Sequence, residues 1–180
     1  PSEESFKGFI PLKEPDPESG TVIVFHGNAG NALDRLFYAR ALEKFGLRVI
    51  LAEYPGYGGR PGSPSEDVLV KDALKSIEIA NEMYPGPLFL WGESLGCGVS
   101  AAAVKQTDVP VKGIVLFLPW DSLAAVAKTH YRFLPVRYLL RDRYDSVANL
   151  MDFNGNAAVL LAGRDEIIPV RHGKTLYDSI

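Results

Sequence analysis

Residues 87–105 read PLFLWGESLGCGVSAAAVK, and this stretch decides the fold class. Its first part, residues 87–91, is a short apolar run that is typical of a buried strand. Residues 95–105 are rich in small side chains and predict a helix that can lie close to the strands. The glycine-bounded turn 92–96 between them therefore predicts a strand–turn–helix unit, the building block of an α/β fold.

Similar apolar runs recur on both sides of this unit. Residues 21–26 (TVIVFH) predict a buried strand, and residues 47–52, 113–118 and 157–162 each predict a further strand. Amphipathic segments lie between these runs. Continuous buried strands that alternate with amphipathic helices indicate an α/β fold with a mostly parallel sheet.

Two of the intervening helices carry their own boundary signals. Asn31 is predicted to cap the first, Gly46 to end it, and its inner face to hold several apolar side chains. Ser63 is predicted to cap the second, with Pro64 at its first position and Glu66 reaching back to the cap. The residues predicted to line the inner face of the first helix are Leu33, Leu36, Phe37, Ala41, Leu42 and Phe45.

The length of the chain predicts one domain over residues 1–180, since 180 residues are the usual size of a single domain. Before residue 20, only residues 6–12 could form a strand, and Pro11 weakens that prediction. Residues 119–150 predict a less regular, partly helical segment. A last helix is predicted after Pro169 and is expected to be still running at Ile180.

Composition excludes several classes of protein. The chain has 47% hydrophobic and 23% charged residues and a net charge of −3, so nucleic acid is not an expected partner. A single cysteine, Cys97, excludes an internal disulfide and a Cys-rich metal site, and it favours a cytoplasmic location. No apolar run approaches the ~20 residues of a membrane span. Because the sequence begins at Pro1 rather than Met, an upstream anchor or signal stays open. The sequence does not indicate the oligomeric state.

The turn 92–96 has the pattern G-x-S-x-G, as GESLG, directly between a predicted strand and a predicted helix. Such a turn holds its serine, here Ser94, in a strained backbone conformation with the oxygen exposed at the carboxyl end of the sheet. Side chains at Gly92 and Gly96 would collide with the neighbouring strand and helix. We interpret Ser94 as a candidate nucleophile, and the alternative is an ordinary turn that carries a solvated serine.

Residues 26–30, HGNAG, follow the strand at 21–26. An enzyme that transfers an acyl group stabilises the developing oxyanion with fixed backbone N–H groups, and glycines let the backbone approach the substrate closely. The amide of Leu95 is one predicted donor, and the amide of Asn28 is the other. A phosphate-binding glycine loop is the alternative, but neither G-x-G-x-x-G nor a Walker lysine is present.

The turn after the last predicted strand carries a candidate acid. Asp165 lies just beyond residues 157–162, where a carboxylate could orient a histidine at the carboxyl end of the sheet. The order serine, aspartate, histidine is the one expected for a G-x-S-x-G enzyme. Glu166 is the alternative acid, and a turn or helix-cap role is the other interpretation of Asp165.

Four blocks in this order give the chain a family likeness that extends over residues 20–175. They are HGNAGN at 26–31, YPGYGGRPGSPSE at 54–66, GESLG at 92–96 and GRDEIIP at 163–169. The chain resembles the small serine esterases and thioesterases of the α/β-hydrolase superfamily. The resemblance implies a serine hydrolase of small carboxylic esters or thioesters that needs no cofactor and no metal.

The resemblance also implies roles for individual residues. It assigns the nucleophile to Ser94, the acid to Asp165 and the oxyanion donors to Asn28 and Leu95. The segment 120–122, Trp-Asp-Ser, is similar to the start of the variable cap region of the family, so residues 119–150 are interpreted as a cap-like segment.

The general base is where the sequence departs from the family, whose histidine follows a further strand and helix. Of three histidines, His26 is expected to be structural and His130 lies in the cap-like segment. His172 is expected to face solvent or cap the last helix rather than reach Ser94. We therefore expect either a domain that is incomplete at its C-terminus, lacking the last strand and helix, or a protein that has lost turnover.

Two function classes follow. The first is a serine hydrolase that forms an acyl-enzyme on Ser94, with a histidine beyond Ile180 as its base; residues 1–180 alone are then expected to show negligible turnover. The second is a catalytically silent α/β-hydrolase scaffold that binds a ligand or a partner. A dehalogenase or epoxide hydrolase would need a carboxylate nucleophile in place of Ser94.

Overall fold

The computed structural model describes residues 7–10, 19–131, 139–165 and 167–180. Within these ranges six strands form one sheet, and helices pack on both of its faces. The strands are β1 (Gly8–Phe9), β2 (Thr21–Phe25), β3 (Arg48–Ala52), β4 (Leu88–Glu93), β5 (Val111–Phe117) and β6 (Asn156–Leu160). The helices are α1 (Leu36–Leu42), α2 (Glu66–Met83), α3 (Leu95–Gln106), α4 (Leu123–His130), α5 (Ser146–Leu150) and α6 (Val170–Tyr177).

The sheet has the order β1-β3-β2-β4-β5-β6, and β1 is its antiparallel strand among the described residues. All pairs from β3 to β6 are parallel, which confirms the predicted mostly parallel α/β sheet. β2 is followed by β3 on one side, whereas β4 lies on its other side. The chain therefore reverses direction across the sheet between β2 and β4, and ligands of open α/β sheets bind beyond the carboxyl ends of strands at such a switch point.

The main core lies on the α2 and α3 face of the sheet. Every residue of α3 from Gly96 to Ala103 is buried, because its small side chains let the helix lie close to β2 and β4. Cys97 is fully buried in this core, and desolvation raises the pKa of its thiol well above the usual range. This burial agrees with its interpretation as a small core residue.

The first predicted helix is correct at its ends, but of its predicted inner-face residues only Leu42 packs against the core. Asn31 accepts hydrogen bonds from two backbone amides as a cap, and Gly46 ends the segment with φ 73°. However, Phe37 and Phe45 are 55% and 78% exposed, whereas Tyr38 is buried. The segment divides into a 3-10 turn, the short helix α1 and a second 3-10 turn, so one periodicity of 3.6 residues does not hold along it. Leu33 and Leu36 are also exposed, and Ala41 is exposed too.

The second helix begins later than predicted. Ser65, not Ser63, is the N-cap of α2, because Pro64 packs in the preceding loop, where it leaves no room for a side chain on Gly56. The Glu66 carboxylate does not reach back to the cap. Its Oε2 accepts the backbone amides of residues 143 and 144, at 2.6 and 3.1 Å, and so ties α2 to the cap-like segment.

The cap-like segment contains α4 and α5, which a bridge between Ser122 and Asp145 joins at their starts. Residues 132–138 of this segment lie outside the described residues, as do residues 6, 11 and 12 of the possible first strand. The last helix ends at Tyr177, so the expectation that it is still running at Ile180 is wrong. The Ser179 amide donates to the Leu176 carbonyl at 3.0 Å, a bond that tightens the final turn. No helix among the described residues is long and apolar enough to cross a membrane.

Candidate active site

Ser94 lies at the junction of β4 and α3 in a conformation that L-residues rarely adopt. Its φ and ψ are 49° and −110°, and its amide donates to the Phe117 carbonyl of the neighbouring strand at 2.8 Å. A non-glycine residue held in such a region costs of order 1–3 kcal/mol. The Ser94 side chain is half-buried, and its hydroxyl has no hydrogen-bond partner among the described residues. The serine oxygen is therefore left available at the carboxyl end of the sheet.

The two flanking glycines are required by close backbone contacts. A Cβ atom on Gly92 would lie 2.5 Å from the Gly96 carbonyl oxygen. A Cβ atom on Gly96 would overlap the Phe25 carbonyl oxygen, because α3 begins directly against the end of β2. These contacts confirm the predicted collisions with the neighbouring strand and helix.

The loop after β2 lies beside Ser94 at the switch point. A Cβ atom on Gly27 would be 3.5 Å from the Ser94 Cβ. Neither the Asn28 amide nor the Leu95 amide has a hydrogen-bond acceptor within the described ranges, and Leu95 opens a helix whose first N–H groups have none inside it. Two unpaired backbone donors therefore flank the serine on adjoining segments.

Sequence analysis missed how this loop is held. Its first side chain, His26, is fully buried, and its Nε2 lies 2.9 Å from Glu53 Oε1. Glu53 follows β3 and is itself buried, and its second oxygen accepts the amide of Ala32 at 3.0 Å. The Tyr54 hydroxyl donates to the His26 carbonyl at 3.1 Å. One carboxylate thus connects both ends of the loop 26–32. The neighbouring strand ends predict that these residues approach, but no local pattern predicts the pairing.

The glycine-rich loop after Tyr54 covers this arrangement. The Tyr57 hydroxyl donates to Asn28 Oδ1 at 2.6 Å, and burial raises the pKa of Tyr57. Gly58 has φ 53° and lies so close to Glu53 that a Cβ atom would overlap its carboxylate. The loop is tied to α2 by Arg60, which donates to both Asp72 oxygens at 2.8 and 2.9 Å. The two loops therefore pack as one unit.

Glu93, the residue before Ser94, forms a second network that was not predicted. Its carboxylate accepts from Arg35 at 2.5 and 3.1 Å and from the Tyr38 hydroxyl at 3.1 Å. This hydrogen bonding to Glu93 is the main reason that the pKa of Arg35 is raised. Burial, reinforced by the Glu93 charge, raises the pKa of Tyr38. The network ties the turn at Ser94 to the 3-10 turn that follows the loop 26–32.

Asp165 lies in the loop after β6, two strands away from β4. Like Ser94, it follows the carboxyl end of its strand. Its Oδ1 accepts the amides of Ile167 and Ile168 at 2.9 and 2.8 Å, which closes the loop on itself. No histidine is hydrogen-bonded to it among the described residues. Its alternative, Glu166, lies outside those residues.

His172 is not placed as expected. It is buried rather than solvent-facing, and its Nδ1 lies 2.9 Å from Asp121 Oδ1 while its Nε2 lies 3.0 Å from Thr129 Oγ1. The reason is that α4 of the cap-like segment packs over the start of α6. His130 Nε2, at the end of α4, bonds to the Ile167 carbonyl at 2.8 Å. Both ring nitrogens of His172 are therefore engaged away from Ser94 and Asp165.

No group of three or more His, Cys, Asp or Glu side chains comes close enough to hold a metal ion in the part of the chain that the structure describes.

Comparison with known proteins identifies the family. The family model for serine aminopeptidases of type S33, which are α/β hydrolases, matches residues 16–140. The chain belongs to this family. The fold of the chain is also that of a solved structure of Est1E from Butyrivibrio proteoclasticus with ferulic acid bound. The two share 15% identity and a TM-score of 0.80, over 96% of this chain and 81% of the other.

Two curated relatives are more similar in sequence. An uncharacterized protein of Mycobacterium tuberculosis, Rv2307c, is 39% identical over 151 residues, which are 82% of this chain and 53% of the relative. Lysophosphatidylserine lipase ABHD12 of Danio rerio is 31% identical over 176 residues, 87% of this chain and 46% of the relative. The chain thus spans about half the length of the curated relatives it matches.

Proposed function

We propose that this chain forms the catalytic domain of a serine hydrolase that cleaves small carboxylic ester or thioester bonds through an acyl-enzyme on Ser94. The observation that carries the proposal is the strained Ser94 with a free hydroxyl, flanked by the unpaired amides of Asn28 and Leu95. Membership of a hydrolase family supports it.

The proposed reaction has two stages. A base removes the Ser94 hydroxyl proton while the serine oxygen bonds to the substrate carbonyl carbon, and the Asn28 and Leu95 amides donate to the oxyanion. The bond to the leaving alcohol or thiol then breaks, and the protonated base supplies its proton. Water, deprotonated by the same base, then attacks the acyl carbon. The bond to the Ser94 oxygen breaks, the base returns its proton to that oxygen, and the carboxylic acid leaves. The role of Asp165 in this scheme is to orient the base.

The base itself is proposed to be a histidine outside the printed sequence. None of the three histidines, His26, His130 and His172, has a ring nitrogen bonded to Ser94 or Asp165. Each has at least one ring nitrogen hydrogen-bonded to another group. The greater length of the relatives is compatible with this proposal.

The substrate class is proposed from sequence similarity. The 31% identity to a lysophosphatidylserine lipase favours a carboxylic ester over a thioester. A net charge of −3 gives no reason to expect nucleic acid as a partner. A cytoplasmic location belongs to the same proposal.

The test uses the full-length protein. It should hydrolyse a short p-nitrophenyl ester, and Ser94→Ala should lower that activity by about a thousandfold or more, because removal of the nucleophile disables the whole catalytic unit. A fluorophosphonate should label the peptide that contains Ser94. Ser100→Ala is the matched control, since this buried serine lies one and a half turns further along α3 without a partner for its hydroxyl. Equal activity in Ser94→Ala and the wild type would contradict the proposal.

The alternative function is a catalytically silent scaffold. The observation that favours it is the engagement of the described histidines away from Ser94. A scaffold predicts that the full-length protein neither turns over esters nor reacts with the fluorophosphonate, so the same two measurements separate the two functions.

A further inference from the structure

The side chain of His26 controls the peptide unit that carries the Asn28 amide. Its Nδ1 lies 2.7 Å from the carbonyl oxygen of Gly27, the residue that follows it. In a planar trans peptide the C=O and the next N–H point in opposite directions. A bond that holds the Gly27 carbonyl on the His26 side therefore directs the Asn28 N–H away from His26, out of the buried interior.

The donor in this bond is settled by the acceptors around the ring. A carbonyl oxygen can only accept, so Nδ1 must carry a hydrogen. The other ring nitrogen, Nε2, faces Glu53 Oε1 at 2.9 Å. Whether the proton between them belongs to the imidazole or to the carboxyl, both arrangements leave Nδ1 protonated. The Gly27 carbonyl thus requires the Nδ1–H form of His26, and Glu53 holds the other side of the ring.

The surroundings hold the pair rigidly. His26 is 0% exposed and Glu53 is 5% exposed. The Glu53 carboxylate also accepts the amides of Ala32 and of Tyr54, at 3.0 and 3.2 Å. Gly58 closes over it without room for a side chain. A carboxylate with this many fixed partners keeps the imidazole in one orientation.

We infer that His26, held by Glu53, is a positioning residue that orients the Gly27–Asn28 peptide so that the Asn28 amide serves as an oxyanion donor. The inference rests on the proposed function. It gives the fully buried His26 a role in the rate of the reaction beyond that of core packing.

Two variants of the full-length protein separate the two ring nitrogens. The amide nitrogen of His26→Asn can take the place of Nδ1, whereas that of His26→Gln can take the place of Nε2. We expect His26→Gln to lower kcat for a p-nitrophenyl ester roughly tenfold or more, short of the about 100- to 1000-fold that loss of an oxyanion donor costs. His26→Asn should retain most of the wild-type kcat, and KM should change little in either.

A second readout tests the oxyanion directly. A trifluoromethyl ketone forms an anionic hemiketal on the serine, so its affinity should fall in His26→Gln in parallel with kcat. Thermal unfolding of both variants measures any loss of stability. A purely structural role would lower the stability of both variants and would not make kcat differ between His26→Asn and His26→Gln. Equal kcat in the two variants, or a loss that follows stability alone, would overturn the inference.

A measurement on the wild type needs no variant to fold. Long-range nitrogen-15 spectra distinguish protonated from unprotonated imidazole nitrogens, and Nδ1 of His26 should be protonated. An unprotonated Nδ1 would overturn the inference. The proposed function would still stand if the wild type showed Ser94-dependent hydrolysis. If the wild type shows no Ser94-dependent hydrolysis, both the proposed function and the inference are wrong.

Discussion

The two loops that flank Ser94 are held in different ways. The loop 26–32 begins at a fully buried histidine and is tied at both ends to the buried Glu53, with Tyr54 and Tyr57 adding two more bonds. The loop that carries Asp165 closes on its own backbone amides. Its bond to the cap-like segment runs through the exposed His130. One loop is therefore fixed by the interior of the protein and the other by the surface.

This difference agrees with what each loop is proposed to do. Oxyanion donors are effective when they are oriented before the reaction, so a loop with fixed side-chain partners suits that role. An acid that orients a histidine gains its position from that histidine as well. The free Oδ2 of Asp165, which has no partner among the described residues, leaves room for such a bond.

The largest expected effect is on the acid side. Asp165→Asn keeps the oxygen that accepts the Ile167 and Ile168 amides, so the loop keeps its shape. It removes the charge that would stabilise a protonated histidine, and kcat of the full-length protein should fall by about a hundredfold or more. Steady-state kinetics on a p-nitrophenyl ester measure this.

Glu166→Gln is the matched control for that change. It removes a neighbouring carboxylate from the same loop and should leave kcat near the wild-type value. If the two variants exchange these outcomes, Glu166 is the acid and the assignment of Asp165 is wrong.

Most of the fold could be predicted because the signals for it are local. Each buried strand is a continuous apolar run. The small residues of α3 and the glycines at 92 and 96 indicate where two backbones approach each other. The predictions failed where a tertiary contact decided the outcome. Glu66 has the spacing of a capping residue, but backbone amides 77 and 78 residues away compete for its carboxylate.

The candidate site divides in the same way. Ser94, Asn28, Leu95 and Asp165 could be singled out because each follows a strand in a recognisable turn. The partners that hold them could not, since Glu53 and Arg35 lie 27 and 58 positions from His26 and Glu93 and have no local signature. His172 was expected to face solvent or cap its helix because it lies in the first turn of α6, close to Asp165 in sequence, and no local pattern predicts that Asp121 and Thr129 bond to its ring.

The buried contacts between the cap-like segment and α6 give a second prediction. His172→Leu keeps an apolar side chain of moderate size but leaves Asp121 and Thr129 without their bonds to the ring. We expect a loss of about 1–3 kcal/mol in the free energy of unfolding, since two hydrogen bonds of about 0.5–1.5 kcal/mol each are lost while Asp121 and Thr129 keep their other partners. Chemical denaturation of residues 1–180 measures it.

Lys71→Gln serves as the control for stability. Its pair with Asp67 on α2 is 72% and 70% exposed, so its loss should change the free energy of unfolding by under about 0.5 kcal/mol. If His172→Leu is no more destabilising than Lys71→Gln, the cap-like segment is not held through His172.

The smallest effect is expected at Asn28, because its proposed contribution comes from the backbone. Asn28→Ala removes the Oδ1 that accepts from Tyr57 but leaves the N–H and the His26–Gly27 bond that directs it. Tyr57→Phe removes the same hydrogen bond from the other side. Both variants should lower kcat of the full-length protein by no more than about threefold, the scale of one lost hydrogen bond at an exposed position. A loss of about a hundredfold in Asn28→Ala with Tyr57→Phe unchanged would mean that the asparagine side chain, not its amide, is the donor. An equal large loss in both would mean that the loop 26–32 depends on its surface bond to Tyr57 as much as on its buried one to Glu53, and the contrast between the two loops would disappear.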